Sequence, residues 1–209
     1  MRRVLPYGSA PTEPVTLIEL KAHLRITDAA EDAYLTALIS TARIMVEMLT
    51  RRTIPSTTLK LFLDFWPHES QPWFDGVREG PVYGERRESV EIPRPPLISV
   101  QSIKTYAQDD TAATMAADLY RVSNNDPDQC GRVVLRNTST WPAALRYTDA
   151  VEIAFTAGYS TIPGPLKQAI MMMAGHMYGN RGECEAGGCA SACGASHLIE
   201  AYRIERVVL

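Results

Sequence analysis

The apolar residues of this chain change their spacing twice, and that change limits the folds open to it. Residues 35–49 follow a helical spacing, residues 58–65 alternate with polar residues, and residues 166–177 return to the helical spacing. Apolar stripes at i, i+3, i+4 and i+7 are typical of helices, and period-two alternation is typical of half-buried strands. The sequence therefore predicts an α+β fold: a helical body with two N-terminal helices and one C-terminal helix, an inserted antiparallel β-rich domain, and extended termini.

Two helices are predicted before the β-rich region. Thr16 and Glu19 have the spacing of a capping box, and leucines follow at helical spacing. Asp28 and Glu31 have the same box spacing and predict the start of a longer helix, which ends near Thr50. Its apolar stripe consists of Leu35, Leu38, Ile39, Ala42, Val46 and Leu49. This stripe predicts one helix face that is buried in a core.

Short strands are predicted through the middle of the chain. The segment TTLKLFLDF alternates between apolar and polar residues and predicts the first strand. Further candidates are residues 90–92, 98–106, 119–123, 132–136 and 150–157. Strands at this spacing favour an antiparallel sheet or a small barrel. Residues 66–89 have no period, and a loop of that length inside a domain is usually functional or partly disordered.

A helix is predicted again after Pro165, which suits the first helical position. The resulting division of the chain has five parts. They are a flexible N-terminal arm (1–15), a helical part (16–55), a β-rich insertion (56–160), a C-terminal helix (161–182), and a Cys-rich linker with an extended contact segment (183–209).

The segment RGECEAGGCASACGASH contains three of the four cysteines. Cys184, Cys189, Cys193 and His197 are ligands of the types that tetrahedral zinc takes. Structural zinc sites usually begin with two closely spaced cysteines on a well-supported backbone, and no such support is evident here. A flexible surface loop is favoured, a disulfide is disfavoured in a reducing cytosol, and a zinc-binding interaction module stays the alternative.

Charge and motifs argue against several functional classes. The net charge is −3, so no overall positive field favours nucleic acid, and the arginine pairs at 2–3, 51–52 and 86–87 are interpreted as solvated surface. The apolar run in MRRVLPYGSAP is too short for a signal peptide, and no membrane span is predicted. The sequence has no G-x-S-x-G, no Walker lysine loop and no G-x-G-x-x-G after a strand. It predicts a cytosolic protein that is not an enzyme and takes no cofactor.

The order of several segments resembles the head–tail connector, or adaptor, proteins of long-tailed bacteriophages and gene transfer agents. The helix pair VTLIELKAHLRI and EDAYLTALISTARIMVEMLTRR comes first. IPRPPLISVQSIKTY, DLYRVSNNDPDQCGRVVL and the Trp141-Pro142 pair follow. VEIAFTAGYSTIPGPLKQAIMMMAGHMYGNRGE and LIEAYRIERV complete the set. No single segment is specific, but together they cover nearly the whole chain.

The resemblance implies a structural role without a reaction. Members of the family form a ring, commonly of twelve copies, beneath the portal protein in the neck of a virion or virus-like particle. The ring joins the capsid to the tail, the stopper or the tail terminator, and it is assembled in the cytoplasm of the bacterial host. DNA passes through its central channel without sequence-specific binding, and no membrane is involved.

The resemblance also implies contact residues. In the family, the segment after the last helix extends to the portal or to neighbouring subunits, and here it is residues 196–209. Tyr202 and Arg203 match the closing Tyr-Arg pair of the family, so contact roles fall on them and on Leu198 and Ile199. The loop at 66–89 is longer and more aromatic than the family pattern. The sequence alone leaves open whether its aromatic residues, Trp73 and Phe74 among them, contact the tail or capsid or pack on one another.

Overall fold

A computed structural model describes residues 2–8, 10–66, 89–126, 128–136, 139–142, 144–181 and 186–204 of the 209-residue chain. These residues form eight strands and five helices. The chain divides into two compact units. The sheet unit holds residues 1–8, 58–93 and 97–156, and the helical unit holds residues 9–57, 94–96 and 157–209. The α+β fold class predicted from the sequence is confirmed.

The sheet unit is built from two sheets. Its strands are β1 (Arg2–Pro6), β2 (Thr57–Leu63), β3 (Ser89–Glu91), β4 (Leu97–Tyr106), β5 (Ala112–Thr114), β6 (Tyr120–Ser123), β7 (Arg132–Leu135) and β8 (Val151–Ala157). One sheet has the order β1-β2-β8-β4-β5, and the other has the order β3-β7-β6. The alternation predicted for β2 is present, since Leu59, Leu61 and Leu63 are buried while Lys60 and Phe62 are half-buried on the opposite face.

Strand β1 lies where the sequence predicts a flexible arm. It pairs antiparallel with β2, with Arg2 opposite Leu63 and Pro6 opposite Leu59. The sequence pattern missed this strand because β1 is an edge strand whose side chains are almost all exposed. An exposed edge strand is held by its backbone hydrogen bonds and needs no alternation of apolar residues.

The helical unit contains α1 (Leu17–Leu24), α2 (Asp32–Thr50), α3 (Gly164–Gly179), α4 (Ala186–Ala192) and α5 (Ala195–Glu200). Helix α3 lies against each of the other four. The buried core takes one face of α2 and most of the apolar face of α3. Its largest fully buried side chains are Leu20, Leu35, Ile54, Leu166, Ile170 and Met173. Both long helices therefore form because each has an apolar face to bury.

The two predicted capping boxes have different outcomes. The first is present. The Thr16 hydroxyl accepts a hydrogen bond from the Glu19 amide at 3.2 Å, and the Glu19 carboxylate accepts one from the Thr16 amide at 2.8 Å. The second, at Asp28 and Glu31, is wrong. The Asp28 carboxylate accepts a hydrogen bond from the Ala30 amide within a local turn, and α2 begins later, at Asp32.

The region predicted as a Cys-rich linker and extended segment, residues 183–209, contains two short helices. Gly194, with a φ of 75°, leads from α4 into α5. The glycines of this segment suggest a loop, but alanine has the highest helix propensity, and small side chains let these helices lie close to α3. The buried members are Cys189, Ala190, Ala195 and Ile199.

Helix α2 is nineteen residues long and apolar enough that its length and composition alone would allow it to cross a membrane. The sequence was predicted to hold no such segment. Its inner face, however, forms the core of the helical unit with α1, α3 and α5. A core helix has the same composition as a membrane span, so this property gives no reason to place α2 in lipid.

Candidate interaction surfaces

The last described residues of the chain are held against the end of α2. The Ile204 amide donates to the carbonyl of Thr50 at 3.1 Å. Arg52 Nε donates to the main-chain carbonyl of Tyr202, and Arg52 Nη1 donates to the Tyr159 hydroxyl at 3.2 Å. We name these five residues the C-terminal clasp. The clasp fixes the position of residues 202–204 on the helical unit.

Arg52 is suited to the clasp because only 2% of its surface is exposed. A buried guanidinium is tolerated when its N–H groups are hydrogen-bonded, and its planar shape lets it reach several acceptors at once. Arg51 ends α2 in the left-handed conformation, with a φ of 59°, and its side chain is exposed. The interpretation of this arginine pair as solvated surface is therefore correct for Arg51 and wrong for Arg52.

The four C-terminal residues predicted to contact a partner have different environments. Ile199 is buried in the core of the helical unit, and Leu198 and Tyr202 are half-buried against the same core. Arg203 is exposed, and its guanidinium makes no ion pair or hydrogen bond with another residue in the described part of the chain. Of the four side chains, that of Arg203 is the most accessible to a partner.

The aromatic residues near the long loop also differ in their outcome. Trp73 and Phe74, predicted as contacts, lie outside the described residues. Trp66, at the start of the predicted loop, is only 5% exposed and stacks on Trp141 with ring centroids 4.0 Å apart. Trp66 is therefore part of the sheet unit's interior.

A charged network holds the segment that follows α2. Arg43 lies between two carboxylates, with Nε 2.8 Å from Glu13 and Nη1 2.9 Å from Glu47. The second carboxylate oxygen of Glu47 accepts from the Ile54 amide at 2.9 Å. Because Glu47 is buried, these bonds are needed to keep its charge in the protein interior.

The outward face of α2 carries a second, mostly apolar row of side chains. Its members, which we name the α2 seam, are Tyr34, Ala37, Thr41, Ile44 and Met48, and all of them are exposed. Successive members are three or four residues apart, so they lie along one side of the helix. The apolar spacing predicted the buried row of the same helix but not this row, although its spacing is also visible in the sequence.

A cluster of aromatic and charged side chains joins the start of α2 to the end of α3. The Tyr178 hydroxyl and the Arg181 guanidinium both donate to the Glu31 carboxylate. Arg181 also lies over the Tyr34 ring, 4.8 Å from its centroid. The hydrogen bond from Tyr178, and then that from Arg181, lower the pKa of Glu31. These groups satisfy one another, so the cluster stabilises the fold and offers no open site.

The five-stranded sheet carries a partly buried charge pair. Lys60 Nζ lies 2.7 Å from one Glu152 oxygen, and the Tyr106 hydroxyl donates to the other at 3.0 Å. Lys60 also lies over the Tyr7 ring, 3.9 Å from its centroid. Burial acts to raise the pKa of Glu152, but the hydrogen bonds from Lys60 and Tyr106 and the charge of Lys60 lower it overall.

The described residues of the zinc hypothesis, Cys189, Cys193 and His197, do not form a site. Cys189 is buried in the core and is disulfide-bonded, so the expectation that a disulfide is disfavoured here is wrong. His197 is exposed, and the half-buried Cys193 thiol points to the carbonyl of Ala190 at 3.6 Å. Within the ranges that the structure describes, no three side chains of the metal-binding types are close enough to share an ion. Cys184 lies outside those ranges. The zinc-binding alternative has no support from this arrangement.

Comparisons with known proteins indicate a family and a fold. The family model described as phage gp6-like head-tail connector protein matches residues 14–130. No match was found among the curated proteins.

Three solved chains share the fold. One, from the neck of an empty GTA particle computed with C6 symmetry, has a TM-score of 0.75 and 24% identity over 99% of this chain and 97% of that chain. A second, from the virion of a native gene transfer agent (GTA) particle, has a TM-score of 0.73 and 23% identity over 98% and 97%. A third, from the neck of a native GTA particle computed with C12 symmetry, has a TM-score of 0.68 and 24% identity over 99% and 97%.

Proposed function

Because this chain belongs to the phage gp6-like head-tail connector proteins, we propose that it acts as one subunit of a ring in the neck of a virion or gene transfer agent particle. It joins head to tail through its shape and its contacts, without catalysing a reaction. The family match over more than half of the chain carries this proposal. Similar chains that belong to particle necks solved with C6 and C12 symmetry support a ring of identical subunits.

The proposed partners are the portal protein on the head side and a stopper or tail terminator protein on the tail side. Twelve copies would surround a channel through which DNA passes without sequence-specific binding. The net charge of −3 is compatible with this passage, because the chain has no overall positive field to hold the phosphates of DNA.

We assign the portal contact to the end of the helical unit, with Arg203 as its main side chain. The clasp supports this assignment because it holds the backbone of residues 202–204 while the Arg203 side chain stays exposed. A guanidinium can bind carboxylates or carbonyls on a partner in a defined geometry. Tyr202 and Leu198 would add their half-exposed surfaces, and Ile199 supports them from the core.

Trp73 and Phe74 are proposed as contacts with the tail or capsid. The support for this role is their position in a long aromatic segment of the sequence, since aromatic residues are enriched at protein interfaces. Deleting both aromatic rings should weaken attachment to the tail-side partner and leave the portal contact unchanged.

Native mass spectrometry of the purified protein, alone and with the portal protein of the same particle, tests the proposed function. A ring-sized species with a whole number of subunits, bound to the portal ring, is the expected result. A protein that stays monomeric and ignores the portal under all conditions would refute the connector role.

A further inference from the structure

The α2 seam has the spacing of a coiled-coil contact. Tyr34, Ala37, Thr41, Ile44 and Met48 follow one another at intervals of three, four, three and four residues. This alternation is the a/d pattern by which one helix packs along another. Fourteen residues of helix separate its ends, so the seam is about 21 Å long. In the isolated chain, 46% of the surface of Ile44 and 64% of the surface of Met48 are exposed to solvent.

No charged residue of α2 interrupts the seam, although Arg181 lies over the Tyr34 ring at its N-terminal end. The charged residues of α2 are Asp32, Arg43 and Glu47, and each is engaged elsewhere. Asp32 lies 2.7 Å from Lys21, and Arg43 pairs with both Glu13 and Glu47. Covering the seam would therefore remove apolar surface from water without stripping water from an unpaired charge of α2.

The opposite face of α2 is already used, because it forms the core of the helical unit. A surface helix normally has one apolar stripe and one polar face. A second apolar row on an exposed face is typical of a surface that another protein covers. The small side chains of Ala37 and Thr41 in the middle of the row would let a partner helix approach closely.

We propose that the α2 seam is a contact between neighbouring copies of this chain in the ring. This inference rests on the proposed function. A closed ring needs a head-to-tail contact, in which each copy uses one surface toward its left neighbour and a different surface toward its right neighbour. The seam is one of these two surfaces and meets a different surface of the next copy.

The test uses charge substitutions that leave the helix intact. Lysine has a better helix propensity than isoleucine, and a cation near the C-terminal end of a helix is favourable, so Ile44→Lys with Met48→Lys should keep the monomer folded. Two charges in the seam should weaken subunit association by roughly a hundredfold or more. The control is Thr36→Lys, which adds one such charge at an exposed position of α2 outside the seam.

The readouts are the thermal unfolding midpoint of the monomer and the ring population in native mass spectra with portal present. We expect the double variant to unfold like wild type and to lose the ring, and the control to form it. Ile44→Glu with Met48→Glu should lose the ring as well. Loss of the ring with either sign of charge would show that the apolar contact, and not one particular charge, is required.

Oxidation of Met48 gives an independent readout on the unmodified protein. Methionine oxidation by peroxide follows exposure, so Met48 should be oxidised readily in the monomer and roughly tenfold more slowly in the ring. If the double variant forms rings normally, or if Met48 is oxidised equally in both states, the seam is not a subunit contact. The proposed function would be unaffected by either result. A double variant that forms rings but no longer binds portal would also overturn the subunit contact and assign the seam to the portal. Wild-type protein that never forms a ring would overturn the proposed function and this contact together.

Discussion

The buried guanidinium of Arg52 donates a hydrogen bond to the main-chain carbonyl of Tyr202, which lies 150 positions further along the chain. The bond connects the end of α2 to the turn that follows α5. Because the acceptor is a backbone carbonyl, the contact does not depend on the side chain of residue 202. The clasp therefore separates two functions of this segment: Arg52 holds its backbone, and its exposed side chains remain for a partner.

Replacing Arg52 by alanine should destabilise the helical unit by about 2–4 kcal/mol, because the variant loses hydrogen bonds from a charged group and leaves a cavity. The freed C-terminal turn should also exchange its Ile204 amide hydrogen much faster. Urea unfolding followed by circular dichroism and hydrogen exchange measured by mass spectrometry check the two effects. Arg51→Ala is the matched control and should change stability by less than about 0.5 kcal/mol, since that side chain is exposed. Unchanged exchange of Ile204 in the Arg52 variant would show that the clasp does not hold the turn.

Acid should remove part of the stability of α1. The hydrogen bond from the Thr16 amide, and then that from Lys167, lower the pKa of Glu19 from 4.5 to about 2. A carboxyl with a lowered folded-state pKa stabilises the protein above its unfolded pKa, and this stabilisation is lost as pH falls through the folded-state pKa. The loss attributable to Glu19 should therefore occur between about pH 4.5 and pH 2.

Glu19→Gln tests this dependence. The variant should be less stable than wild type at pH 7 by about 1 kcal/mol or less, because the Glu19 side chain is 43% exposed and water screens its charge. The difference should shrink as pH falls toward 2 and disappear below the folded-state pKa of about 2. Lys167→Met should have a smaller effect, since the hydrogen bond from Thr16 remains. A constant difference between Glu19→Gln and wild type from pH 7 to pH 2 would contradict the assigned pKa.

Elements with one buried and one solvated face could be predicted from the sequence. Helix α1 has its capping box at Thr16, α2 ends at Thr50 as expected, and β2 shows the expected alternation. Strand β1 could not be predicted in this way, because an exposed edge strand has no apolar period. Helices α4 and α5 were missed because glycine and alanine have little apolar surface, and their burial depends on how closely α3 approaches.

The candidate surfaces were predicted less well than the fold. The resemblance to connectors correctly indicated the family, but it gave Ile199 a contact role, and the structure buries that side chain. Arg52 looked like one of two surface arginines, and only the path of the chain after Arg51 shows that it points inward. The α2 seam could have been predicted, since its three-four spacing overlaps the buried row that begins at Leu35.

Replacing Lys60 by methionine should destabilise the sheet unit by about 2 kcal/mol at pH 7, because the Glu152 carboxylate would stay buried without its cation. The pKa of Glu152 would then rise above its unfolded value. A carboxyl with a raised folded-state pKa destabilises the folded protein at pH values where it is ionised. The lost stability should therefore return as pH falls toward 5 and the carboxyl takes up a proton. Urea unfolding at pH 7 and pH 5 measures this recovery. Adding Glu152→Gln to the same variant should abolish the pH dependence, and a dependence that persists would refute the role of Glu152.

Replacing Arg203 by alanine should weaken binding to the portal protein about tenfold or more, because arginine is among the residues that contribute most to protein interfaces. The thermal unfolding midpoint should not change, since the Arg203 side chain is exposed. Biolayer interferometry with immobilised portal rings measures the affinity, and Arg51→Ala controls for loss of a positive charge elsewhere on the helical unit. Ile199→Ala should behave in the opposite way and lower stability by about 2–4 kcal/mol, because it removes a buried side chain. If Arg203→Ala binds portal like wild type while Tyr202→Ala does not, the contact belongs to the half-buried tyrosine ring, and the clasp presents that ring instead of the guanidinium.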